Sequence, residues 1–161
     1  MIIHNRLASS VRDDGIYGHF GQLKMYSKKS GSLELYTHEK PWIQSSEFPN
    51  GKPLDSCVPI GIYDIQKVKF ASYDQQKFVL FNNSNVFIRS SDTSSPSQRY
   101  GTLFVTGDPF TYAEGVIAVG MSMSAKKGKR HLDSSATAYK KLVKFLTDNP
   151  EENRILITWA K

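Results

Sequence analysis

Residues 22–36 read Gln-Leu-Lys-Met-Tyr-Ser-Lys-Lys-Ser-Gly-Ser-Leu-Glu-Leu-Tyr. The two ends of this stretch, Gln22–Tyr26 and Ser32–Tyr36, alternate with the two-residue period of a strand that turns one face to a core. Between them Lys28–Gly31 is polar and closes on a glycine, which is the chemistry of a tight turn. The stretch predicts a β-hairpin, and the same pattern recurs on both sides of it.

Upstream, Met1–Leu7 begins apolar and predicts a first strand. Downstream, Pro41–Cys57 is rich in Pro, Gly, Ser and Asn and predicts a long ordered loop. Val58–Pro59–Ile60–Gly61 then leads into an alternating run, Ile62–Phe70. Lys77–Phe81 and Asn85–Arg89 are β-rich and flank Asn82–Asn83–Ser84, again hairpin chemistry. Gly101–Thr106 and Gly115–Met123 are apolar, β-branched runs. One helix is predicted near the end: Asp133, Ser134 or Ser135 caps it, and Ala138, Leu142, Phe145 and Leu146 share one face at i, i+4, i+7, i+8. Asn149–Pro150 stops it, because proline cannot continue a helix. Arg154–Trp159 alternates as a final strand. The pattern is that of one α+β domain over residues 1–161, mostly β, with a late helix and no linker or internal repeat.

Composition narrows the function classes. The chain has 161 residues, 39% hydrophobic, 22% charged and 12% aromatic, as expected of a folded protein with a real core. No apolar stretch approaches the ~20 residues of a membrane-spanning helix. Met1–Ser10 does not resemble a secretory signal, so the expected location is inside a cell or a particle. The one cysteine, Cys57, excludes an internal disulfide framework and a multi-cysteine zinc site. The four histidines show no His-x-x-x-His spacing, and no glycine-rich loop carries a phosphate-cradling lysine. The expectation is therefore no metal and no cofactor. Cys57 stands at a strand entrance without an evident activating base, which suits a packed thiol better than a nucleophile.

The charge is local. Residues 1–125 carry 12 basic and 11 acidic side chains, whereas residues 126–161 carry 9 and 4, so that quarter holds +5 of the net +6. Its densest part is Lys126, Lys127, Lys129 and Arg130, read as a loop that either serves solubility or faces phosphate or another acidic partner. Trp42, Phe48, Tyr63, Phe70, Tyr73, Phe78, Phe81 and Phe87 either fill the inner face of a sheet or line a groove for sugar or base stacking. Trp42 follows Lys40–Pro41 in the long loop and is the one expected either at the surface or anchoring that loop.

Several motifs in order carry a resemblance: Glu39–Lys40–Pro41–Trp42, Ser56–Cys57–Val58–Pro59–Ile60–Gly61–Ile62–Tyr63, Gly107–Asp108–Pro109, Gly115–Val116–Ile117–Ala118–Val119–Gly120, and Ser135–Ala136–Thr137–Ala138–Tyr139–Lys140–Lys141–Leu142. Over roughly residues 20–147 the chain resembles a family of phage and bacterial proteins of unknown function. That family's His…Gly-Cys pair is in turn similar to the catalytic pair of L,D-transpeptidases, β-rich enzymes that cross-link peptidoglycan. The resemblance implies a curved, mixed sheet. It also implies that Thr106 and Val116 stand where the histidine and the cysteine would be, while Cys57 matches the family's other cysteine. Valine has no nucleophile and threonine cannot replace an imidazole base, so the implied transpeptidase site is degenerate.

The resulting expectation is a non-catalytic phage or prophage protein, a virion structural or accessory component of tail, baseplate or capsid decoration. It would reside in the virion or in the host cytoplasm during assembly, and meet phage or host proteins, itself as a homo-oligomer, or a cell surface. Its expected contact surfaces are the loops Pro41–Asp55 and Ser90–Arg99, with Trp42, and the basic segment with Lys126, Lys127, Lys129 and Arg130. The alternatives are a protein that binds or processes peptidoglycan, and a small inhibitor of a host factor or binder of nucleic acid.

Overall fold

The alternating segments pair as their patterns require and close on themselves. The computed structural model describes residues 1–11, 17–49, 51–53, 55–71, 74–92, 98–112, 115–126 and 129–160. Its strands are β1 (Ile2–Val11), β2 (Tyr17–Ser27), β3 (Gly31–Glu39), β4 (Gly61–Val68), β5 (Lys77–Phe81), β6 (Val86–Phe87), β7 (Arg99–Tyr100), β8 (Thr102–Val105), β9 (Ile117–Gly120), β10 (Ser122–Lys126), β11 (Lys129–Asp133) and β12 (Arg154–Trp159). One α-helix, α1 (Ser135–Asp148), precedes the last strand. Eight strands form a closed barrel in the order β1-β12-β4-β5-β8-β9-β3-β2.

Most neighbours are antiparallel, but β1 pairs with β12 and β8 with β9 in parallel, so the sheet is mixed. The β1–β12 pair joins the two ends of the chain, with Ile2 opposite Ile155 and Arg6 opposite Trp159, and it leaves the sheet no open edge there. The predicted hairpin is β2–β3, with Leu23 opposite Leu35 and Met25 opposite Leu33, and Gly31 takes the left-handed φ of +74° that its turn needs.

Inside the barrel, Ile2, Leu23, Met25, Leu35, Ile65, Leu80, Phe104, Ile117, Ile155 and Ile157 form one buried cluster. The face of α1 expected from periodicity joins it through Ala138, Leu142, Phe145 and Leu146. The helix starts beside β9, where Ser135 Oγ donates to the Val119 carbonyl at 2.5 Å and accepts from Gly107 N–H at 2.8 Å. It ends beside the β2–β3 turn, where Ser27 Oγ donates to Asn149 Oδ1 at 2.5 Å and Lys29 Nζ to the Asp148 carbonyl at 3.0 Å. α1 therefore closes the barrel end that carries the β2–β3 turn. Strands β8 and β9 are buried on both faces, which is why they read as continuous apolar runs. Their outer face carries a second cluster of Val68, Val79, Leu103, Val105, Val116 and Ala118, with Leu132 of β11 packed over it.

Four local expectations need correction. Ser134 sits at the start of α1 in a left-handed conformation and makes no side-chain cap, while Ser135 ties the helix to β9 and to Gly107 just past β8. Asn82–Ser84 does turn the chain, with Asn82 Oδ1 accepting the N–H groups of Ser84, Asn85 and Val86, but β5 pairs with β4 and β8, and the short β6 pairs with β7. The run Gly115–Met123 breaks at Met121 into β9 and β10. Lys126, Lys129 and Arg130 of the basic segment lie on strands β10 and β11 rather than in a loop, and β11 packs so closely that a Cβ on Gly120 would lie 2.8 Å from Leu132 Cβ.

Replacing Phe145 by alanine removes a ring from the helix–barrel contact and is expected to cost about 3–5 kcal/mol in urea unfolding. Lys141→Ala, on the exposed face of the same helix, should change stability by no more than about 0.5 kcal/mol.

Candidate functional site

The barrel end opposite α1 is built from the end of β3, the end of β12, the start of β2 and the residues that lead from Cys57 into β4. On β1 and β3 the inward-facing positions at this end are polar, whereas Ile157 and Ile117 in register with them are apolar. Arg6, 2% exposed, forks onto Glu39: Nε donates to Oε2 and Nη2 to Oε1, each at 2.8 Å. Nη2 also donates to the Val58 carbonyl at 2.6 Å, so one guanidinium joins β1, β3 and the approach to β4. Two planar groups in register give a bidentate ion pair, the strong form of this contact.

Burial works against both charges, and each is held by the other. For Arg6 burial lowers the pKa, but the Glu39 charge and hydrogen bonds outweigh it and the net direction is up. For Glu39 burial raises the pKa, but Arg6 first and His4 next bring the net direction down. His4, fully buried, lies 2.8 Å through Nε2 from Thr37 Oγ1 and 3.6 Å from Glu39 Oε2. Burial pushes its pKa down to about 4 against the pull of Glu39, so at neutral pH the ring is uncharged and the approach to Glu39 is not an ion pair.

A second buried arginine fastens the long loop. Arg99 Nη2 donates to the Ser56 carbonyl at 2.6 Å and Nη1 to the Lys52 carbonyl at 3.0 Å. Within the loop, Lys52 N–H reaches the Ile43 carbonyl at 2.7 Å, Ile43 N–H reaches Ser56 Oγ at 2.9 Å, and Cys57 N–H reaches the Pro41 carbonyl at 3.1 Å. The described residues of the loop are held in place by these bonds, as expected of an ordered loop. It positions Trp42, whose N–H donates to His19 Nε2 at 3.1 Å and whose indole Nε1 donates to Gln44 Oε1 at 3.2 Å. Gly51, at φ +83°, lies flat against the indole; a Cβ there would come within 2.8 Å of Trp42 Cζ3.

The same mouth is lined by Trp159, the last residue of β12, 41% exposed. Its ring meets His19 edge to face, with centroids 4.8 Å apart, and the Arg6 guanidinium sits 5.8 Å from its centroid. Trp42, Trp159, Pro49, Pro59, Ile60, Asn85 and Arg6 line a cavity of about 400 Å³. These are the chain's two tryptophans, 117 positions apart in sequence and on one cavity in the fold.

The other expected positions lie elsewhere. Thr106 and Val116 are not brought together: the parallel register sets Phe104 beside Ile117 and Val105 beside Ala118, so the two positions are offset by three residues along the ladder, about 10 Å at ~3.3 Å per residue. Val116 is buried in the outer apolar cluster, and the Thr106 carbonyl accepts from Tyr112 Oη at 2.8 Å. Cys57 is buried, and burial first, then the Glu39 charge, pushes its thiol up to about 12, which makes it inert as a nucleophile at neutral pH. Arg130 is exposed on β11, 5.8 Å from the centroid of the Phe20 ring. Lys126 and Lys129 stand opposite each other at the end of the β10–β11 pair, and Lys127 lies outside the described residues, as does much of Ser90–Arg99. Among the aromatic candidates Tyr63 and Phe78 are core, and Tyr73 lies outside the described residues.

Among the described residues no group of three or more His, Cys, Asp or Glu is placed to hold a metal ion, and no helix is long and apolar enough to cross a membrane. Sequence reasoning missed Arg6, Glu39, Arg99 and Trp159 as parts of this end. Trp159 carried one available signal: it continues the inward phase of Ile155 and Ile157 to the strand's end, where a core position becomes a rim position. Comparison with protein-family models, with curated proteins and with solved structures gives no match to this chain.

Glu39→Ala leaves a buried guanidinium without its partner and is expected to cost about 3–5 kcal/mol in urea unfolding, whereas Arg6→Met combined with Glu39→Leu should recover most of that loss. Stability should also fall in mild acid. The folded pKa of His4 lies below its unfolded value of 6.5, so its contribution is complete above 6.5 and is lost as pH falls towards about 4. His19, lowered by burial, and Glu39, lowered by Arg6, act with the same sign, Glu39 below the His4 range. Protonating His4 is expected to cost on the order of 3 kcal/mol across that window, and His4→Gln should flatten the pH dependence of unfolding between 6.5 and 4.

Proposed function

We propose that this chain is a non-catalytic binding protein, a structural or accessory component of a phage or prophage particle in tail, baseplate or capsid decoration, which acts by protein–protein or cell-surface contact through the Trp42–Trp159 end of the barrel. The observation that carries the contact reading is the convergence of both tryptophans on one rigidly supported cavity. Tryptophan is costly to leave at a surface, and paired indoles at a rim are a common anchor of recognition sites. The reactive side chains nearby are committed to structure: Arg6 and Glu39 to each other, His4 to Thr37, and Cys57 to packing. The resemblance to phage and bacterial proteins, with threonine and valine in place of a catalytic pair, supports the particle setting.

A second reading, a protein that binds peptidoglycan, is favoured by the aromatic cavity together with the basic β10–β11 pair. Peptidoglycan is anionic enough to suit Arg130 and its neighbouring lysines.

The chain should co-sediment with assembled particles of the phage that encodes it, and Trp42→Ala with Trp159→Ala should reduce that association by about tenfold, as expected when anchoring aromatics are truncated. A protein that remains soluble and absent from particles would overturn the first reading. Retention on purified sacculi that falls when Lys126, Lys127, Lys129 and Arg130 are replaced by alanine would favour the second.

A further inference from the structure

The mouth cavity carries information about the chemistry of its occupant, which extends the contact reading above and rests on it. Its walls are indole, proline and isoleucine, with one positioned amide. That amide, Asn85, is held through Oδ1 by Asn82 Nδ2 at 2.7 Å, and Asn82 is itself fixed by the three backbone N–H groups it accepts. Among the described residues the single ionised side chain in the lining is Arg6, and its charge is answered by Glu39 behind it. The cavity is therefore close to electrically neutral. It offers little to a phosphate or a nucleotide, which draws affinity from unpaired cations. A volume of about 400 Å³ lies within the usual range of small-molecule sites, roughly 300–1,000 Å³.

What fits is a neutral molecule with one apolar face and a hydroxylated edge. A pyranose ring has that form: its C–H face packs on an indole, and its hydroxyl rim needs an amide partner such as Asn85. We propose that the Trp42–Trp159 cavity is a saccharide site that binds one or two pyranose units of a neutral glycan. Trp42 supplies a preset wall, since Gly51 lies against its indole, Gln44 accepts from its Nε1 and His19 accepts from its backbone N–H, and Trp159 supplies a second indole.

Because both tryptophans line this cavity, intrinsic fluorescence of the whole chain reports on it directly. Titration with a panel of neutral tetrasaccharides (chito-, cello-, malto- and mannotetraose) is expected to shift the emission saturably for at least one member. Trp42→Ala and Trp159→Ala should each weaken that binding by about tenfold, the scale of a lost stacking platform. Asn85→Ala should weaken it too, with circular dichroism melts checking that each variant folds. Raising NaCl from 50 to 500 mM should leave the affinity within about twofold, unlike the ~10³-fold loss typical of phosphate contacts. No response to any tetrasaccharide, a response unaffected by the tryptophan changes, or saturable binding of a proline-rich peptide in place of sugar would each overturn the saccharide assignment. Tryptophan-dependent association with particles without sugar binding would overturn this assignment and leave the contact reading standing. Sugar binding by a chain absent from particles would do the reverse.

Discussion

The Arg6–Glu39 ion pair sits where three parts of the chain must agree. Glu39 ends β3, Arg6 is on β1, and the same guanidinium holds the Val58 carbonyl on the way into β4. A pair so deeply buried gains little net stability, because removing both charges from water costs about as much as their attraction returns. What it supplies is register. Shifting β3 or β1 by one residue would turn either charge onto the outer face and leave the other buried alone, a state several kcal/mol higher by the usual cost of such isolation, about 3–5 kcal/mol. His4 and Thr37 repeat the arrangement one inward step further into the barrel, with a neutral contact in place of the charged one.

That polar layer divides the barrel into two different ends. On the helix side the interior is apolar and closed by Ala138, Leu142, Phe145 and Leu146. On the other side the charges prevent an apolar plug, and the chain covers them with the loop between β3 and β4. Arg99 fastens this loop by two carbonyls, the loop holds Trp42, and the end of β12 contributes Trp159. The mouth cavity follows from a core that is apolar at one end and ionic at the other.

The elements themselves were legible because their signals are local. The β2–β3 hairpin, β5, β12 and the buried face of α1 all follow from period and turn chemistry in neighbouring residues. The pairing of β10 with β11 was hidden because its strands are short and their adjoining ends carry Lys126, Lys129 and Arg130, so charge masked the β pattern. The Asn82–Ser84 turn was recognisable, yet the strand that follows it is taken up by β7, a pairing with no local signature. At the site, Trp42 was visible as an aromatic residue stranded in a loop. Arg6 and Glu39 looked like ordinary strand residues, since nothing in a sequence tells a buried charge from a solvated one until its partner is placed.

Taken by itself, the sequence determined a mostly β chain with one late helix, a thiol placed for packing at a strand entrance, and positive charge gathered in the last quarter, because each of these depends on residues close together in the chain. Only the tertiary structure decided that the curved sheet closes, since closure rests on a parallel pairing of the first and last strands, Ile2 with Ile155 and Arg6 with Trp159. The same pairing carries Trp159 to the mouth that Trp42 also lines. Contacts of that kind are set by the geometry of the whole barrel, and the residues that make them carry no mark of it in their own neighbourhoods.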